Sequence, residues 1–447
     1  MVFHEPLALT TALQANLDAV GDLSPDAFDR FSQLIPAAWI EHALQATGTA
    51  SLRRRRLPAE RLIWLVIGLA LFRNEPVWHI VRQLGLALGT EAQVVPVPSA
   101  TAQGRQRLGE APLAHLFDQV SHVGCNAPVP VDGLFQGLRL LAVDGVVWST
   151  QDTAEHRDVF GGGRSQHGEG SWPQVRAVCL MDVHTHLIRA TAFGAYTTGE
   201  ISYACDLMTA APDASLTIFD RAYYSAAFLL AWQHAGERRH WLMRAKSSLR
   251  YEVIRPLGEG DAWVRLPVSP QARRQDPELP AYWEARLIVC PSGRRYLTSL
   301  ADAVGYPADR VAACYRERWE IELGFRDIKQ SMQANDTVLR SKRPELVRQE
   351  IWGLLIAYNL LRWEMHQTAD ELGVPPTRLS FQGFTRAIVA ELRYAPLETP
   401  GAFPKRLARL RQHARVYLLP PRRQRSCPRE VKRRPHKYPT KNASQLN

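Results

Sequence analysis

The 447-residue chain has no long apolar run. Its longest, Leu62–Phe72, is eleven residues held between Arg61 and Arg73. A membrane span needs about 20 apolar residues, so no transmembrane helix and no membrane partner are expected. The amino terminus, Met1-Val-Phe-His-Glu-Pro, lacks the basic and apolar segments of a signal peptide. Cysteine is sparse, with Cys125, Cys179, Cys205, Cys290, Cys314 and Cys427 scattered and no C-x-x-C pair. That excludes a zinc ribbon or disulfide framework and fits reduced thiols in the cytoplasm. There is no P-loop, no dinucleotide-binding glycine fingerprint and no G-x-S-x-G, and Gly161-Gly162-Gly163 has no strand-to-helix context. No internal repeat is found.

What is present is ordinary globular composition, 46% hydrophobic and 22% charged, with a formal net charge of +11. At about 100–200 residues per domain, the length allows two to four domains. The charge is unevenly spread. Residues 401–447 hold 14 Lys and Arg against Glu430 alone, leaving 41 basic and 43 acidic residues in 1–400. Pro404, Pro420, Pro421, Pro428, Pro435 and Pro439 punctuate that basic end. A flexible tail that grips phosphates is expected there, with a merely solvated end as the alternative. The cluster Arg53, Arg54, Arg55, Arg56 is a second candidate phosphate contact.

The first ~135 residues read as helices. Ser24-Pro25 resembles an N-cap followed by a first-turn proline; Val77–Leu88 and Ser99–Leu108 read as further helices, the latter with Gln103, Arg105 and Arg107 on its polar side. Spacing alone allows either a helix-turn-helix-like module or a plain bundle. Strand-like runs then begin at Leu138–Val143, ending in Asp144-Gly145, and continue at Val175–Met181, Leu187–Phe193 and Leu216–Phe219, the last ending at Asp220. Glu200–Thr209 reads as helical, and strand-like pieces return over 250–300. A long helix follows from Ala308 to Met332, with further helices near 344–370 and 383–393. The order implies an α/β core. His184 and His186 fall in a turn with no third ligand nearby, too few for a zinc site.

At about 100° per residue from Tyr315, Arg318, Glu322 and Lys329 share a stripe roughly 60° wide, while Ile321, Phe325 and Ile328 face elsewhere. One carboxylate among cations suits metal and phosphate oxygens together. Asp144 and Asp220 stand at strand ends, where α/β folds often place catalytic groups. Three carboxylates could hold hard divalent cations for phosphodiester chemistry. Strand-end aspartates are also common turn formers and caps.

Tyr315-x-x-Arg318-x-x-x-Glu322-x-x-x-x-x-x-Lys329 resembles the Y-R-E-K signature of the insertion-sequence-4 family of DDE transposases. Asp144-Gly145 resembles that family's first catalytic aspartate, and Asp220-Arg221-Ala222-Tyr223 its second, with Ala222 in place of the usual glycine. Leu52–Pro58 and the apolar helix after it resemble the family's amino-terminal region.

The resemblance implies an RNase H-like catalytic core of mixed sheet and helices at 136–247 and 298–400, a β-rich insertion at 248–297, a helical DNA-binding domain at 1–135 and the basic tail at 401–447. The 102-residue interval from Asp220 to Glu322 fits such an insertion. It implies further that Asp144, Asp220 and Glu322 bind two Mg²⁺ ions, replaceable by Mn²⁺, and that Tyr315, Arg318 and Lys329 hold DNA. The implied partners are double-stranded DNA, as terminal inverted repeats and target, and a second copy of the chain in a DNA-bound homodimer. Some relatives stack a flipped base on a tryptophan before the signature helix; here Tyr296, Trp263 and Trp283 are the candidates. The expected activity is cut-and-paste transposition. The alternatives are a nuclease that cuts without joining and a non-catalytic DNA-binding derivative.

Overall fold

The computed structural model describes residues 35–50, 57–84, 86, 98–165, 168–169, 172–335, 338–394 and 402–421. Among the described residues, five α-helices precede the first strand of the sheet: α1 (Ala37–Ala46), α2 (Ala59–Leu71), α3 (Val77–Gln83), α4 (Pro98–Leu108) and α5 (Ala111–Cys125). The third ends at Gln83, short of the expected Leu88. The Ser24-Pro25 cap lies outside the described residues.

A nine-stranded sheet follows, comprising β1 (Arg139–Ser149), β2 (Gln174–Asp182), β3 (Ile188–Ala195), β4 (Ser215–Phe219), β5 (Arg239–Arg244), β6 (Glu252–Gly258), β7 (Asp261–Pro267), β8 (Tyr282–Val289) and β9 (Arg295–Thr298). The short helices α6 (Ala154–Phe160), α7 (Glu200–Cys205), α8 (Ala226–His234) and α9 (Pro270–Gln275) connect them. Strand β1 runs on to Ser149, past the expected end at Asp144, because the antiparallel ladder with β2 continues through Ser149 and Gln174. The expected helix over Glu200–Thr209 is split, with α7 followed by a 3₁₀ turn at Met208–Ala210. Across the sheet the order is β3-β2-β1-β4-β5-β9-β8-β7-β6. Strand β2 runs antiparallel to β1 and β3, while β4 is parallel to both β1 and β5. This five-strand order is that of an RNase H-like core. The β-rich segment β6–β9 continues the same sheet, joined through the β9–β5 ladder.

Side chains alternate across β1 and β2 as a pleated strand requires. Ala142, Val146, Cys179 and Met181 face one hydrophobic cluster; Leu141, Val143, Val178 and Leu180 face another, beneath α8. Over the first face runs the signature segment. The expected single helix from Ala308 to Met332 is four windings in sequence: α10 (Ala308–Cys314), a 3₁₀ turn at Tyr315–Arg318, α11 (Trp319–Arg326) and a π turn at Asp327–Met332. The even 100° spacing therefore does not hold along it. Next come α12 (Pro344–Leu372), α13 (Phe381–Tyr394) and α14 (Ala402–His413).

Helix α2 is apolar nearly all round, and α12 covers it. Gly353 approaches so closely that a Cβ there would sit 2.6 Å from Val66 Cγ1 and 2.7 Å from its carbonyl oxygen. One buried cluster runs from Ile35 through α2, α5 and the sheet to α12 and α13, so the core has no break at residue 135. Arg105, expected on a polar face, is buried; its guanidinium donates to Gln349 Oε1 at 3.1 Å, Ser341 Oγ at 3.3 Å and the Leu346 carbonyl at 2.9 Å. The basic end read as a tail from residue 401 begins with a helix. Helix α14 is pinned by Arg406 to Glu391 at 2.5 Å and by Arg411 to Glu364 at 2.6 Å. Pairing with these acids outweighs Pro404, which sits in the first turn where proline is tolerated. Residues 422–447 lie outside the described residues.

Candidate active site

Parallel pairing of β1 with β4 matches Val143 with Phe219, so the next residues, Asp144 and Asp220, stand side by side where the two strands part. Asp144 is opposite Cys179 in the β2 ladder, on the face covered by the signature segment. Its Oδ1 accepts from the Gly145 amide at 2.9 Å. Asp220 caps the 3₁₀ turn Arg221–Tyr223, accepting from the Arg221 amide.

Arg318 reaches down between two acids. Its guanidinium donates to Asp144 Oδ2 at 3.2 Å and to Glu322 Oε1 at 2.5 Å. Burial pulls Arg318 down, but the hydrogen bond to Glu322 and the negative charges of Glu322 and Asp144 hold it above its ordinary value. Burial raises Tyr315 to about 12, with Asp220 adding and Arg318 and Arg244 opposing, so its phenol stays a neutral donor at pH 7. The structure thus joins Asp144, Glu322, Arg318 and Tyr315 and sets Asp220 beside them. Lys329 falls in the π turn, half-buried, its ammonium lowered by burial. Arg53 to Arg56 lie outside the described residues.

The aromatic candidates separate by exposure. Tyr296 is 5% and Trp283 3% exposed, and Tyr296 packs on Tyr315 with centroids 5.1 Å apart. Trp263 is partly exposed and donates to Glu284 at 2.9 Å. Trp319, beside Arg318, is 44% exposed. His186 Nε2 meets Glu320 Oε2 at 2.7 Å in the core, tying the hairpin turn to α11.

Residues 135–360 match the family model described as Transposase DDE domain, and residues 25–118 match that described as Insertion element 4 transposase N-terminal. The chain belongs to the insertion element 4 family of DDE transposases. It is 42% identical over 406 residues to Transposase InsG for insertion sequence element IS4 of Escherichia coli (strain K12), covering 90% of this chain and 91% of that protein. A second relative from the same strain, the putative transposase InsZ, is 34% identical over 235 residues, 52% of this chain and 76% of the other. Among solved structures, a piggyBac transposase synaptic complex with hairpin DNA covers 94% of this chain and 87% of that one, at 11% identity and a TM-score of 0.44.

This insertion-sequence transposase acts on DNA, and DDE transposases use divalent metal ions. No helix among the described residues is long and apolar enough to cross a membrane. Its acidic site fits a metal by charge. Burial raises Asp144 to about 6; Gly145 and Arg318 pull it down, but Glu322 and Glu200 push it further up. One guanidinium is too little positive charge for the carboxylates around it, and all are hard oxygen donors of the kind Mg²⁺ or Mn²⁺ takes. Among the described residues, no three acidic, His or Cys side chains converge tightly enough to hold one ion as they stand. Arg318 occupies the gap between Asp144 and Glu322.

Glu200, the first residue of α7, was missed by sequence reasoning because nothing in its neighbourhood resembles a motif. Arg244, at the end of β5, is the other omission; only the parallel β4–β5 register brings it toward Tyr315.

Proposed function

We propose that Asp144, Asp220 and Glu322 hold two Mg²⁺ ions, with Mn²⁺ able to substitute, and that the transposase uses them to cut element ends and join them to target DNA. The observation that carries this reading is the juxtaposition of Asp144 and Asp220 on adjoining strands, with Arg318 linking Asp144 to Glu322. Divalent cations bound there would lower the proton affinity of water and stabilise charge on the attacking and leaving oxygens.

The chain's own groups hold the strand. Arg318 has a planar fork suited to two phosphate oxygens; once released from the carboxylates it grips the backbone next to the scissile bond. Tyr315 donates as a neutral phenol, and Lys329 adds a compact positive charge. In the first step water oxygen bonds to phosphorus and the strand's 3′ oxygen leaves, taking up a proton. In the second, that 3′-OH attacks a phosphodiester of the target, one P–O bond forming as another breaks and the proton passing to solvent. Substrates are double-stranded DNA bearing terminal inverted repeats and target DNA, engaged by a homodimer.

The test supplies pre-cleaved element ends with free 3′-OH groups, target DNA and Mg²⁺. Joined products are expected. Cleavage of intact ends without joining would favour a nuclease, and DNA binding without either reaction would favour a non-catalytic derivative.

A further inference from the structure

Behind the catalytic strand, on the face opposite Asp144, lies a carboxylate that the chemistry above does not use. A Cβ on Gly145 would fall 2.7 Å from the Glu200 carboxyl carbon and Oε1. Gly145 thus leaves a window in β1 that the Glu200 carboxylate fills. Glu200 is held there from two sides. Arg176, paired with Val147 of β1 through the β2 ladder, approaches Glu200 Oε1 at 3.9 Å, donates to the Thr198 carbonyl at 2.8 Å and lies over the Tyr196 ring. Tyr223, fully buried three residues after Asp220, lies close enough to Glu200 and Asp144 that both acids, after burial itself, raise its phenol.

A surface glutamate that only began a helix would have no reason to press on the backbone next to the first catalytic aspartate. A buried phenol raised by its burial and by two neighbouring acids stays a neutral donor, suited to a partner that carries negative charge. We propose that Glu200 is a positioning carboxylate of the active site, which acts through the Gly145 window and Tyr223 to strengthen divalent-cation binding at Asp144. It supplies negative charge from the far face of β1 and orients groups outside the direct ligands. Such outer partners typically carry about tenfold or more of a site's metal affinity. The inference rests on the reading of Asp144 as a metal ligand.

The experiment measures Mn²⁺ binding to full-length protein by electron paramagnetic resonance, with DNA binding in EDTA as a parallel readout. Glu200→Gln keeps shape and removes charge; it should weaken Mn²⁺ binding about tenfold and leave DNA affinity in EDTA unchanged. Tyr223→Phe should weaken Mn²⁺ binding in the same direction. Unchanged Mn²⁺ affinity in folded Glu200→Gln protein would overturn the proposal. Asp144→Asn separates the two ideas. If it binds Mn²⁺ as wild type does, the metal site itself is misplaced; if it loses binding while Glu200→Gln does not, only the role of Glu200 fails.

Discussion

Replacing Asp144 by Asn should make the transposase more stable while removing its activity. Burial, with Glu322 and Glu200, outweighs Arg318 and lifts this carboxyl from 3.8 to about 6. In the unfolded chain the group titrates near its ordinary value, so between about pH 4 and 6 the native state binds more protons than the unfolded one. The slope of unfolding free energy with pH is then negative across that window. The aspartate's destabilising effect grows through it and is complete above about pH 6. A shift of about two units corresponds to ~3 kcal/mol at pH 8 and roughly half that at pH 5. Asparagine can still accept from the Gly145 amide and carries no charge to desolvate. With about 2.1 cal/mol/K per residue of unfolding entropy, ~3 kcal/mol corresponds to a rise of roughly 3 °C in Tm at this length. Differential scanning calorimetry in EDTA should show Asp144→Asn melting higher than wild type at pH 8 and the gap narrowing toward pH 5. Saturating Mg²⁺ should raise wild type and leave the variant where it was. An equal or lower Tm for the variant at pH 8 in EDTA would refute the reasoning, because the acid would then be no burden on the fold.

Gly353→Ala forces a methyl against Val66 and its carbonyl, and should cost about 1–3 kcal/mol in chemical denaturation because backbone cannot yield as a side-chain tip can. Arg105→Ala strips the Leu346 carbonyl and Gln349 of their buried donor and should cost about 2–4 kcal/mol by the same measurement. Truncation distinguishes the two parts of the basic end. Removal of 422–447 should weaken DNA binding and flatten its salt dependence by about 0.9 for each phosphate no longer neutralised, with Tm unchanged. Removal of 402–447 should also lower Tm, since the ion pairs that Arg406 and Arg411 make with Glu391 and Glu364 go with it.

The parts of this fold that could be read from sequence are those written in local pattern. The apolar runs leading to Asp144 and Asp220 marked the two central strands, although β1 continues beyond its aspartate because β2 goes on pairing with it. The spacing from Tyr315 to Glu322 survived the change of winding because the interactions that matter span one turn. Lys329 is different. A π turn adds a residue to the winding without any change in composition, so helical periodicity could not reveal it. Side-chain pairings of long sequence separation were equally silent: Arg105 reads as polar surface until Gln349 and Leu346 close over it. Glu200 lies between two motifs and belongs to neither; its place follows only from the β1–β2 register and a glycine that lacks a side chain. In α14 the positive charge of the basic end is matched by Glu364 and Glu391 on neighbouring helices, a pairing that no local pattern shows.

The most direct measurement of the central claim is strand cleavage at element ends in Mg²⁺, with DNA binding recorded in parallel, for Asp144→Asn, Asp220→Asn and Glu322→Gln. Each variant should bind DNA at near wild-type affinity and leave the ends uncut. Wild-type cleavage by any one of the three would contradict the assignment of these carboxylates as the metal-binding acids.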